Sequence, residues 1–303
     1  MKVGEKMFLQ PTWRGTFRAI LYLLPALIIL GTFNIYPIIK SFLISLYTDY
    51  DFYNNIVHSY GISNFTYLFK DPKFGKSLIN TFLFVAGVVP ISIIISLAIA
   101  LLINSVSKFK GFFRTVYFLP FVTSVVAVAI VWSWIFHSDY GLLNYFLGFF
   151  GIDPIEWLTD PNFALPALII LSIWKGLGFN IIILLAGLQT IDKQYYMAAR
   201  VDGASRWHRF TGVTLPMLSP TLFFLSIISI INTFKVFDEV FALFGGRPGP
   251  GNSTLTVVYY VFQKFYEEWE FGIASAATFI LFVIIFIFTI IQLILGKRFV
   301  HYN

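Results

Sequence analysis

Long runs with no polar interruption dominate the chain, among them LLPALIIL, ISIIISLAIALLI and FILFVIIFIFTIIQLIL. None alternates between apolar and polar positions, so they read as helices and not as the strands of a membrane barrel. Six stretches run approximately from Ala19 to Leu46, Leu78 to Ile103, Phe112 to Phe136, Leu165 to Leu188, Met217 to Phe244 and Ile273 to Leu295. Each reaches the ~20 residues that a helix needs to cross about 30 Å of hydrocarbon. The pattern predicts an all-α integral membrane protein with six transmembrane helices.

Composition agrees. Hydrophobic residues make up 58% of the chain and charged residues 12%, and mean hydropathy is +0.79, whereas a soluble domain carries about a quarter charged residues. Loops rich in lysine and arginine stay cytoplasmic. With both termini inside, Lys2, Lys6, Arg14, Arg18, Lys108, Lys110, Arg114, Lys193, Arg200, Arg206, Arg209, Lys297 and Arg298 share that side, and most of the acids face the other. The net charge of +6 is thus a topology signal; the cations form no contiguous stripe for nucleic acid. The expected layout is an interfacial segment over 1–18, with Trp13 and Phe17 toward the inner membrane surface, a transmembrane domain over 19–296 and a cytoplasmic tail over 297–303. No cleavable signal pattern precedes the first span, and the absence of cysteine excludes disulfides.

Several candidate sites fail on context. KDPKFGKS, residues 70–77, ends like a phosphate loop, but Lys70 occupies the place of the first glycine. His58, His137, His208 and His301 show no metal spacing. The tripeptides beginning at Asn64 and Asn252 have the form of glycosylation sequons that arise often by chance. No acid pair, nucleophile triad or metal cluster points to an enzyme.

One polar segment interrupts the apolar sequence: QYYMAARVDGASRWHRFTGVTLP, residues 194–216. MAARV favours helix, Asp202-Gly203 reads as a helix end or turn, and a second short helix capped by Ser205 or Asp202 follows. Ala204, Trp207 and Phe210 recur at three-residue spacing on one face of it. A small cytoplasmic amphipathic element either lies on lipid or docks into another protein.

Charges within the spans are costly and face a cavity or one another, which singles out Lys175, Lys235, Asp238 and Glu239. Lys235 stands three and four residues before Asp238 and Glu239, so a pair within one helix satisfies them as well as a solute-facing role does. Ser229, Asn232, Thr233 and Val236 form a mostly polar stripe on the fifth helix, suited to a cavity or to hydrogen bonds with a partner helix. WKGLGFN brings Lys175, Phe179 and Asn180 near mid-membrane on the fourth.

The segment MAARVDGASRWHRFTGVTLP resembles the cytoplasmic "EAA" loop of binding-protein-dependent ABC importer permeases. Ala198, Ala199, Asp202, Gly203, Ala204, Phe210, Leu215 and Pro216 match its pattern, while Met197 stands where the family usually has glutamate. The six-helix layout, GGRPGPGNST, FGIASAATFILF and the ending KRFVHYN resemble the first permease subunit of the carbohydrate (maltose/glycerol-phosphate-type) group.

The resemblance implies a coupling-helix loop over 190–216, between helices 4 and 5, seated in a cleft of a cytoplasmic ATPase, with Met197 and Trp207 also at the contact. Gly203 permits the bend, and Pro216 starts the next membrane helix. It implies a sugar site lined from the fourth and fifth helices, where Asn232 and Thr233 offer polar partners and Phe179 an aromatic face. It further implies a heterodimer with a second, similar permease in the inner or plasma membrane, and a solute-binding protein outside. Two ATPase subunits carry ATP and Mg; this chain carries no cofactor. A gradient-driven carrier working alone is the rival; it requires a coupling carboxylate deep in the membrane. A passive channel requires no docking helices.

Overall fold

The computed structural model describes residues 13–51, 54, 56–105 and 110–299; residues 1–12 and 300–303, from the two expected terminal segments, lie outside it. The chain begins with α1 (Trp13–Leu30), a wide π turn over Gly31–Ile35, and α2 (Tyr36–Ser45). A hairpin of β1 (Tyr47–Asp51) and β2 (Ile56–Tyr60) leads into α3 (Ser63–Lys70) and the long α4 (Pro72–Ser105). Next come α5 (Lys110–Val122), α6 (Val125–Ile135), α7 (Leu142–Gly148) and α8 (Pro161–Thr190). Two short helices, α9 (Lys193–Val201) and α10 (Arg206–Arg209), precede α11 (Leu215–Phe234). Then α12 (Asp238–Leu243), α13 (Val257–Phe262) and α14 (Phe271–Phe299) complete the described chain. Among the described residues, five helical spans are long and apolar enough to cross a membrane, six when the bent pair α5 and α6 counts as one.

Two of the expected spans differ in shape. The stretch from Phe112 to Phe136 is not one straight helix: α5 and α6 meet at 98° around Thr123 and Ser124. The expected helix from Met217 to Phe244 stops at Phe234, and α12 begins only at Asp238. The broken backbone is satisfied locally, because the amides of Lys235 and Val236 reach back three residues, to Asn232 and Thr233. The Val236 carbonyl accepts the Thr256 hydroxyl at 3.0 Å.

Prolines shape two further spans. Two of the three π turns end two residues before a proline, Gly31–Ile35 before Pro37 and Phe210–Thr214 before Pro216; the third, Gln263–Glu267, has no proline after it. A proline ring crowds the carbonyl four residues back and offers no N–H, so the turn before it widens. The Tyr36 and Leu215 amides accordingly bond carbonyls five residues back, on Gly31 and Phe210. Pro216 stands in the first turn of α11, as expected, though the helix does not begin afresh there. It lies within a helical span running from Arg206 to Phe234.

Helix α8 is central, packing on α4, α5 and α11, while α2 leans on α14. Leu168, Leu171, Phe84, Val85, Phe234 and Leu281 belong to one buried cluster; Ala100, Ile181, Leu184, Leu185, Leu218 and Leu225 form a second. Several hydroxyls in the spans bond their own helix, as Ser92 does to Val89 and Thr289 to Ile285, which satisfies them without water.

At one end of the bundle, polar side chains pin the loops. Asn64 donates to the carbonyls of Ser45 and Tyr47, and is 8% exposed, so this sequon side chain is structural. Lys76, from the phosphate-loop-like stretch, donates to the Gly251 carbonyl at 2.7 Å. Asn80 donates to the carbonyls of Asn252 and Leu255. Lys264, 4% exposed, holds Glu268 and Glu270 at 2.6 Å each and faces the rings of Tyr67 and Tyr260.

Burial pushes the Lys264 ammonium down, but the hydrogen bonds and charges of Glu268 and Glu270 outweigh it and hold the group above its ordinary 10.5. Burial, with the charge of Glu267, raises Tyr259 to about 12. Folded values above unfolded ones mean stability that is complete below the unfolded pKa and lost as pH rises past it. The contribution of these groups to the melting temperature should therefore be flat between about pH 6 and 9 and fall above about pH 10. Lys264→Met should lower the melting temperature, by roughly 1–3 kcal/mol of stability, and make that alkaline fall shallower in thermal melts. An unchanged alkaline limb would contradict the assignment.

Candidate functional site

A cavity of about 300 Å3 lies between α4, α5, α8, α11 and α12. All nine residues expected along a solute pathway line it: Lys175, Phe179 and Asn180 from α8, Ser229, Asn232 and Thr233 from α11, Lys235 and Val236 from the break, and Asp238 from α12. The break in the fifth span matters here, because it turns Lys235, Val236 and Asp238 toward the same space as the stripe before them.

The charges do not pair as their spacing along the chain suggests. In place of a pair within one helix between Lys235 and Asp238 or Glu239, Lys175 Nζ donates to Glu239 Oε1 at 2.9 Å, linking α8 to α12. The side chains are 16% and 20% exposed. The physical reason is the break: Lys235 caps the end of α11 while Glu239 lies in the first turn of α12, so no single helix carries both. Glu239 in that first turn also meets the positive end of its own short helix.

Phe121 stacks on Phe179 with centroids 5.3 Å apart and planes at 27°, which gives the cavity an apolar wall. Ser172 Oγ, on the same wall of α8, is buried and bonded to no described residue. Sequence reasoning missed Phe121, Ser172, Ser92 and Phe84. Ser172 stands three residues before Lys175, so helical spacing marks it; Phe121 enters only because Gly178 lets α5 press against α8.

The 194–216 segment has the expected form of two short helices with a bend. Asp192 caps α9 by accepting from the Gln194 amide at 2.9 Å. Gly203 has φ +73°; its amide reaches the Arg200 carbonyl and the Ala204 amide the Ala199 carbonyl, a Schellman closure that suits glycine at this position. Of the two expected caps for the second helix, Ser205 performs the role, accepting from the His208 amide. The aromatic rings of Trp207 and Phe210 lie 5.6 Å apart. Met197 and Trp207 are 55% and 68% exposed, and Ala198 and Asp202 are exposed as well, so the surface of the bend is free for contact within this chain. Tyr196, which no motif marked, bonds Thr214 at 3.0 Å and ties α9 to the base of the span that ends at the cavity.

Comparison with known proteins follows the same lines. The family model described as "Binding-protein-dependent transport system inner membrane component" matches residues 89–301. The lactose transport system permease protein LacF of Rhizobium radiobacter is 37% identical over 276 residues, 90% of this chain and 91% of that protein. A solved bacterial ABC transporter involved in the import of the acidic polysaccharide alginate contains a chain that superposes with a TM-score of 0.81 at 27% identity, covering 94% of this chain and 98% of that one. In a second alginate transporter structure, in complex with an alginate pentasaccharide-bound periplasmic protein, the corresponding values are 0.80, 27%, 94% and 97%.

A Cβ at Gly178 would fall well inside contact distance of the Tyr117 carbonyl, whereas one at Gly176 meets nothing within 4 Å. Gly178→Ala should therefore separate α5 from α8 and cost stability at or above the ~1–3 kcal/mol typical of overpacking. Gly176→Ala should be neutral or mildly stabilising. Thermal melts of the two purified variants make the comparison, and equal melting temperatures would contradict this packing.

Proposed function

The chain belongs to the family of inner membrane components of binding-protein-dependent transport systems, and on that premise we infer that it forms half of a sugar translocation pathway driven from a separate ATPase. It is a multi-pass permease subunit of an ABC importer. The observation that carries the sugar reading is the cavity itself. The polar residues Ser229, Asn232 and Thr233 line it beside the stacked Phe121 and Phe179 rings, the pairing of polar partners with an aromatic wall that a sugar ring requires.

Asn232, Lys235 and Asp238 are exposed on this wall, which suits a pathway completed by a second, similar permease. The exposed bend over 194–216 suits docking in a cytoplasmic ATPase, two copies of which supply ATP and Mg. The packing of Met197 replaces a glutamate ion pair there. In this arrangement both termini are cytoplasmic and the pinned loops around Lys76, Asn80 and Lys264 face outward. There a solute-binding protein delivers the sugar, as the periplasmic protein in the alginate complex supports. The named relatives are parts of ABC systems, which leaves the gradient-driven carrier without support.

Gly203→Asp and the pair Asn232→Ala and Phe179→Ala separate the two roles. In proteoliposomes with the partner subunits, Gly203→Asp should assemble yet lose most ATP-driven uptake, because strain at a positive φ, on the order of 1–3 kcal/mol, distorts the docking bend. The cavity variants should keep nucleotide coupling but weaken sugar uptake by roughly tenfold each, the effect of losing one polar or stacking contact. Undiminished uptake by Gly203→Asp would refute docking at the bend, and unaltered uptake by both cavity variants would refute the sugar site.

A further inference from the structure

The cavity carries four ionisable side chains, Lys175, Lys235, Asp238 and Glu239, two of each sign. Lys175 and Glu239 meet at 2.9 Å with little exposure, so that ammonium is already neutralised where solvent screens it poorly. We propose that Glu239 is a specificity-determining residue: by holding the Lys175 ammonium it makes the cavity electroneutral, and so selects an uncharged oligosaccharide over one bearing carboxylates. The proposal rests on the sugar reading above and narrows its substrate class.

A neutral sugar exchanges its water for the hydroxyl and amide groups of Ser229, Asn232 and Thr233 and the ring faces of Phe121 and Phe179. A carboxylate entering the same space sheds a far larger hydration energy and needs an unengaged cation in return. Lys175 offers none, because Glu239 of α12 occupies it. Lys235 makes no ion pair with a described residue, but it is exposed and hydrated, with Asp238 on the same wall to balance its charge, so Lys175 is the shielded cation that an incoming anion would need. Resemblance alone does not choose between the classes, since one relative is named for lactose, a neutral disaccharide, and another for an acidic polysaccharide. The charge balance of the cavity does.

The test uses the transporter assembled with its partner subunits in nanodiscs and without the solute-binding protein, so that the cavity's own preference is read. Saturation-transfer NMR follows lactose and maltotriose as neutral probes and trigalacturonate as the anionic one. The wild-type assembly should bind the neutral probes and not the uronate. Glu239→Gln should raise the uronate-to-neutral ratio by about tenfold, as expected for a newly available charged hydrogen bond. Lys175→Met combined with Glu239→Gln should return the ratio to the wild-type value. Lys175→Gln, an independent arm, leaves an excess anion and should still exclude the uronate. Preference of the wild-type assembly for the uronate, an unchanged ratio in Glu239→Gln, or uronate binding by Lys175→Gln would each overturn the proposal while neutral binding keeps the sugar reading intact. Absence of signal from every sugar in every variant would overturn both.

Discussion

Hydrocarbon offers no water to a charge or to an unpaired backbone group, and this one penalty orders the chain. Hydroxyls such as those of Ser92 and Thr289 turn back on carbonyls of their own helix. Where the fifth span breaks, the freed Val236 carbonyl is met by Thr256. Where prolines remove donors, the helix widens by one residue and continues. Lysine and glutamate from different helices find each other across a cavity. Polar groups that a lipid-facing helix cannot hold are thereby gathered into one place, and that place is the site.

The same economy of connection joins the site to the polar segment. From Arg206 to Phe234 the chain is one helical span, with Ser205 capping its start and Asn232 and Thr233 near its finish. Tyr196 bonds Thr214 at the base of this span, so α9 and α11 are linked by more than the bend at Gly203. On the docking proposal, a push on the exposed bend would travel along this helical span to the cavity wall. The π turn over Phe210–Thr214 lies within that span, where a helix accommodates Pro216 without interruption.

Much of this was legible along the chain. Apolar runs longer than any soluble helix needs marked the spans, and helical spacing placed Ser229, Asn232, Thr233 and Val236 on one face before any neighbour was known. The bend at Gly203 followed from the residue pattern alone. What periodicity does not encode is contact between distant segments. Lys175 and Glu239 are 64 residues apart, while Lys235 sits at ideal helical spacing from the same acid, so local reasoning favours the wrong partner. The break at 235–237 hides within FKVFDEVFALF, whose apolar pattern runs on unaltered. The hairpin over 47–60, where Thr48 meets Ser59 at 2.6 Å and Tyr47 meets Tyr60, mixes aromatic and polar residues too evenly to announce a strand beside such dominant helices.

The account stands on force entering this chain from outside it. Uphill sugar accumulation in proteoliposomes, measured with this subunit alone and with its permease, ATPase and solute-binding partners plus ATP, tests that most directly. Accumulation should appear only with the full set and cease when ATP is withheld; uphill accumulation by vesicles holding this chain alone would contradict it.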